Sequence, residues 1–190
     1  MRVPPTNGAA GGPLSARGLL RWQFRLAHKL LEATVTDLPT ELLHRHPPGT
    51  AAPAAARYAQ AVLCEDLSVN GVLAGRPPLV LADWAGRTGL SELPSLATPT
   101  ATPTCWGEWA RRVRLDQAAF QAYARAVYAA TDTYLASLPD AALGPAGAEM
   151  PACLLSALLL TVSTRRGEIA SLLALERPPP PDSMTSAARA

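Results

Sequence analysis

The stretch Leu154-Leu155-Ser156-Ala157-Leu158-Leu159-Leu160-Thr161-Val162-Ser163-Thr164-Arg165-Arg166-Gly167-Glu168-Ile169-Ala170-Ser171-Leu172-Leu173-Ala174-Leu175 decides the fold class. Leu154, Leu158, Thr161, Arg165, Glu168 and Leu172 recur at steps of three and four, the period of one α-helix face. That face is apolar at both ends and polar in the middle. A polar trio set into an otherwise apolar stripe marks a site or the remains of one.

Three more helical patterns precede it. From about Ser15, residues Leu19, Trp22, Leu26, Leu30, Thr34 and Leu38 share a face, with Arg21, Arg25, Lys29 and Glu32 largely opposite. A second helix is expected from Pro53 to Ala74, where Ala56, Gln60, Leu63, Cys64, Leu67, Gly71 and Ala74 align. Val62, Val69, Val72 and Leu73 give it a second apolar strip, so it should pack against more than one neighbour. A third helix, from Asp116 as N-cap to Leu138, carries Phe120, Ala124, Val127, Thr131 and Leu135 at the helical step. No stretch reads as a strand. The expected fold is therefore all-α, a four-helix bundle with a long connector between helices two and three.

That connector, residues 75–105, is rich in Pro, Thr and Gly and long enough for a crossover. Trp106 and Trp109 should anchor its far end on a short helix, Trp106–Val113. The bundle domain is assigned to residues 15–176. Residues 1–14 and the Pro-rich 177–190 read as disordered tails.

Composition narrows the function classes. The 190 residues carry a formal charge of +2, and no basic stripe with aromatics suits nucleic acid. All but one of the seventeen basic residues are arginine, Lys29 being the exception. Cys64, Cys105 and Cys153 lack both even number and CxxC spacing, so neither a disulfide framework nor a zinc knuckle is indicated. The N-terminal residues have no apolar signal core, and the apolar run near Leu160 is too short to span a membrane. The reading is a soluble, reduced, cytoplasmic chain.

The order of several motifs resembles the DinB/YfiT-like superfamily of four-helix-bundle metalloenzymes, relatives of mycothiol-dependent maleylpyruvate isomerase and bacillithiol transferases. The motifs are Pro47-Pro48-Gly49-Thr50, then Tyr58-Ala59-Gln60-Ala61-Val62-Leu63-Cys64-Glu65-Asp66, then Asn70-Gly71-Val72-Leu73-Ala74-Gly75-Arg76-Pro77-Pro78-Leu79. Trp109-Ala110 and Gly167-Glu168-Ile169 follow. The resemblance implies a metal site made of one histidine on the second helix and an H-x-x-x-H pair on the fourth. The matching positions here are Gln60, Thr161 and Arg165. None is a histidine, and an arginine adds charge where a dication would sit. The family's Lys-Gly-Leu-Gln-Gly ending is also missing.

The expectation is thus a degenerate member without metal or other cofactor, a binding or interaction module rather than an enzyme. Gln60, Thr161 and Arg165 mark its former metal site, with Cys64, Glu65 and Glu168 as pocket neighbours. Arg165 pairs with Glu65 or Glu168, or reads a small anionic ligand. A homodimer through an apolar helix face stays open as well, as do a metal-dependent hydrolase or thiol-dependent S-transferase with other ligands and a small-molecule sensor. His44 and His46 read as a solvated loop, and Cys64 as a packed small hydrophobe. Glu65 and Asp66 are adjacent on a helix and point apart, so they form no acid–base pair.

Overall fold

The Ser15 hydroxyl accepts the Gly18 N–H at 3.1 Å, and this cap opens α1 (Ala16–Val35). The computed structural model describes residues 15–47, 52–95, 106–143 and 149–176, and the two tails lie outside them. After α1 come α2 (Thr40–His44), α3 (Ala54–Asp66), α4 (Gly107–Arg112), α5 (Gln117–Ser137) and α6 (Glu149–Glu176). A π-helical segment, Leu67–Leu73, prolongs α3. Among the described residues there is no strand, only an isolated bridge between Leu90 and Leu115. No described helix is long and apolar enough to cross a membrane.

The four long helices α1, α3, α5 and α6 close a ring. α1 packs on α5 and α6, and α3 packs on the same two helices, so α1 and α3 face each other diagonally. Side-chain pairs give the directions. The Gln117 amide donates to Val35 O at 2.6 Å and Arg17 to Leu138 O at 3.0 Å, which sets α1 and α5 antiparallel. His28 meets Glu65 and Glu32 meets Tyr58, so α3 also runs against α1. α3 and α5 are therefore parallel, and the chain between them, described over residues 74–95 and 106–116, is a crossover.

The core is built from Phe24, Leu31 and Val35 of α1, nearly all of α3, Phe120, Tyr123 and Val127 of α5, and Leu155, Val162 and Ile169 of α6. Burial of α3 on most sides matches its two apolar strips. Asp116 caps α5 as expected, accepting the Ala119 N–H at 3.0 Å. Two faces differ from the sequence reading. On α1, Leu19, Trp22, Leu26 and Leu30 are exposed, and the core face is Phe24, Ala27, His28, Leu31 and Val35. On α6 the core stripe is Leu155, Leu158, Val162 and Ile169, which leaves Thr161, Arg165 and Glu168 half-buried on its edge. In both cases a second row of leucines alongside the core row hid the true phase of the helix.

Asp66 ties the crossover down. Its carboxylate accepts the backbone N–H of Leu79 at 2.9 Å and of Val80 at 2.8 Å, the Asn70 amide at 2.6 Å and the Tyr123 hydroxyl at 2.8 Å. Burying a carboxylate is costly unless donors surround it, and here four do. The far leg is clipped to α5, with Asp116 N–H donating to Gly89 O and Ser91 N–H to Arg114 O, both at 2.8 Å. Trp106 and Trp109 are buried edge to face with ring centroids 5.6 Å apart, and Trp109 Nε1 donates to Glu92 O at 2.9 Å.

Candidate functional site

Arg57, Gln60 and Cys64 recur at helical spacing on the side of α3 that faces α6. The Arg57 guanidinium donates to Glu168, and Arg165 donates to the same carboxylate at 2.8 Å. The Arg165 charge also reaches Cys64. The α3–α6 seam thus gathers Gln60, Cys64, Arg165 and Glu168 as a group. Glu65 belongs elsewhere, turned toward α1 and α5, where it meets His28 and Thr131. Thr161 lies one turn before Arg165, its hydroxyl turned back to Ala157 O at 2.8 Å.

Electrostatics define what this seam can do. Two guanidiniums against one carboxylate leave it one positive charge. Burial pushes the Glu168 carboxyl up, but hydrogen bonds from Arg165 and Arg57 outweigh that and hold it below its ordinary range. Burial pushes the Cys64 thiol up to about 11, with Arg165 offsetting only part of the rise. Cys64 is therefore almost wholly protonated near neutral pH and a poor nucleophile. Gln60 is 5% exposed. Among those residues, no group of three or more His, Cys, Asp or Glu is placed to hold a metal ion.

A second polar centre crosses the bundle diagonally. His28 Nε2 donates to Glu65 Oε2 at 2.8 Å, and Thr131 Oγ1 donates to Glu65 Oε1 at 2.6 Å. The His28 ring stacks on Tyr128, centroids 3.8 Å apart. One turn away, Tyr58 and Tyr128 both donate to Glu32 Oε1, at 2.6 and 2.9 Å. Burial, with Glu32 beside them, holds both phenols above their ordinary value and keeps them donors. Where His28 reaches the surface it floors a cleft of about 280 Å³ edged by Arg25 and Asp132.

His28, which the sequence reading did not single out, is the histidine that reaches α3. The signal was present in the helical spacing of Phe24, His28, Leu31 and Val35. Glu65 and Asp66 do point apart, each to its own set of donors. His44 is not a solvated loop residue: Nδ1–H donates to Thr40 O at 3.0 Å and Nε2 accepts the Leu115 N–H at 3.1 Å. It pins α2 to the end of the crossover. His46 is exposed.

The fold and these centres define an all-α bundle with a charged α3–α6 seam. Against known proteins, the chain matches no protein-family model and no curated protein.

Proposed function

We propose that this chain is a DinB/YfiT-type bundle in which an arginine-centred ion cluster stands where the family holds its metal, and that it binds a small anion without catalysis. The observation that carries this is the Arg57–Glu168–Arg165 cluster with its surplus positive charge, on the seam where Gln60 is nearly buried. A carboxylate-bearing ligand supplies what the seam lacks, one negative charge for the surplus cation. The guanidinium fork suits that geometry. The protonated Cys64 thiol favours binding over thiol transfer.

The test is thermal denaturation with acetate, succinate and inorganic phosphate against chloride at matched ionic strength. A ligand that binds only the folded state raises the melting temperature with its concentration. The wild type should respond to at least one anion, and Arg165→Gln should lose the response while folding normally. No shift with any anion rejects the binding reading. One equivalent of zinc retained through purification would favour the metal-dependent hydrolase or S-transferase reading instead.

A further inference from the structure

His28 and His44 show two uses of a histidine in this bundle. Both ring nitrogens of His44 are bonded, Nδ1–H to Thr40 O and Nε2 to the Leu115 N–H, as a purely structural role requires. His28 is bonded on one side. Its Nε2–H is held by Glu65 Oε2 at 2.8 Å, which leaves the lone pair of the neutral ring on Nδ1. His28 is 7% exposed, yet Nδ1 is not sealed in. Among the described residues, the side-chain polar atom that is both buried and without a partner is Trp106 Nε1. Nδ1 therefore opens on the cleft of about 280 Å³ that His28 lines between α1 and α5. Behind the ring, Glu65 is fully buried and held in turn by Thr131 Oγ1 at 2.6 Å. Tyr128 stacks on the imidazole and fixes its plane. An imidazole oriented by a carboxylate that a third group holds is the arrangement that makes histidine a positioned base.

We propose that His28 is a general base for a water molecule in this cleft, and that the cleft hydrolyses small carboxylic esters. The site is separate from the α3–α6 seam and stands independently of the anion reading. The cleft is lined by Phe24, Arg25, His28, Tyr128, Ala129 and Asp132, so no serine, threonine or cysteine is at hand as nucleophile. Water is therefore the attacking group. Nδ1 takes a proton from it as the water oxygen bonds to the acyl carbon, and the carbonyl π pair moves onto the carbonyl oxygen. Glu65 stabilises the imidazolium so formed. Arg25 spends Nε and Nη2 on Asp132, both at 3.0 Å, which leaves Nη1 at the rim for the oxyanion. As the carbonyl re-forms, the bond to the alcohol oxygen breaks and that oxygen takes the proton from Nδ1. Acid and alcohol leave, and water is the one co-reactant. Asp132, held ionised between Arg21 and Arg25, offers no second proton, which favours alcohol over amine leaving groups. The volume restricts the acyl group to a short one.

The experiment follows p-nitrophenolate release from p-nitrophenyl acetate over many turnovers, using the full chain and its His28→Gln, Glu65→Gln, Ala129→Trp and His46→Gln variants. Each is first checked for native helicity and melting. His46 is exposed and controls for a surface imidazole. Ala129 is exposed on α5 at the cleft, so a tryptophan there fills the mouth without entering the core. The wild type and His46→Gln should share one kcat/KM, and His28→Gln should fall about 100-fold, the lower end of what a positioned base supplies. Ala129→Trp should lose the rate with His28 and Glu65 in place, so the test stays decisive even if His28→Gln does not fold. Glu65 is a positioning residue, and Glu65→Gln should lower kcat while KM stays near the wild-type value. Turnover should slow in D2O, since a proton moves in the step. A wild type no faster than folded His28→Gln overturns the proposal, as does Ala129→Trp at the wild-type rate. An acetyl group that stays on His28 in the mass spectrum also overturns it, because the ring would then be a consumed nucleophile.

Discussion

Cys64 and Cys153 differ in the property that decides thiol reactivity. Burial raises the first to about 11, while the second is exposed on α6. Iodoacetamide at pH 8 should label Cys153 at least about 100-fold faster than Cys64, because the thiolate is the attacking form. Peptide mapping after timed quenching reads the ratio, and equal rates would mean that the α3–α6 seam admits solvent. Asp132 gives a pH prediction. Hydrogen bonds from Arg21 and then Arg25 hold its carboxyl well below the ordinary 3.8. A group depressed in the folded state stabilises above its unfolded value and loses that contribution as pH falls through and below it. Stability should therefore drop on acidification below about pH 4, and Asp132→Asn should flatten the drop at a neutral-pH cost of about 1 kcal/mol. Denaturant melts at stepped pH measure both. At this scale the sequence was partly legible. Arg165 and Glu168 could be paired by their spacing, and they are. Arg57 as the second donor depends on how α3 lies against α6, which no local pattern encodes.

Among the elements, the crossover rests on single residues. Asp66→Ala would strand two backbone N–H groups and two side-chain donors in a buried place, at a cost of about 3–5 kcal/mol. Tyr123→Phe removes one donor and should cost about 1 kcal/mol. Hydrogen exchange at Leu79 and Val80 should accelerate strongly in the first variant and little in the second; slow exchange there in Asp66→Ala would show that the crossover is held by its apolar contacts instead. Gly89 is a second pin. Its φ is +80°, and a Cβ there would meet Ala119 Cβ at 2.8 Å and Asp116 O at 2.9 Å, so no side chain fits. Helix existence was legible from periodicity, as were the Asp116 cap and the tryptophan anchor. The phase of α1 was not. Two apolar rows run along it, and only the packing of α5 and α6 decides that Phe24 and Leu31 go inward while Trp22 and Leu26 stay out.

For the whole molecule, the placement of the former metal positions can be tested by rebuilding. Gln60→His, Thr161→His and Arg165→His together should bind zinc by calorimetric titration where the wild type does not. Thr161 and Arg165 are one turn apart, about 6 Å along the axis, and Gln60 comes from the facing helix. Removing Arg165 also deletes a charge whose repulsion of a dication at ~4 Å is of order several kcal/mol. A folded triple variant that binds no zinc would place those positions apart and weaken the family assignment. The all-α bundle and a connector long enough to cross over were both legible in the sequence. The diagonal pairing of α1 with α3 was not, because it depends on which helices become ring neighbours. That arrangement also bears on how the chain reaches its folded state. α1 and α3 are diagonal, as are α5 and α6, so neither consecutive pair can zip up as a local hairpin. The one consecutive pair that does pack, α3 with α5, must first close the crossover loop. Almost every helix contact here joins residues far apart in sequence, and high contact order slows the search for the native state. This bundle should fold more slowly than an up-and-down bundle of equal length and stability.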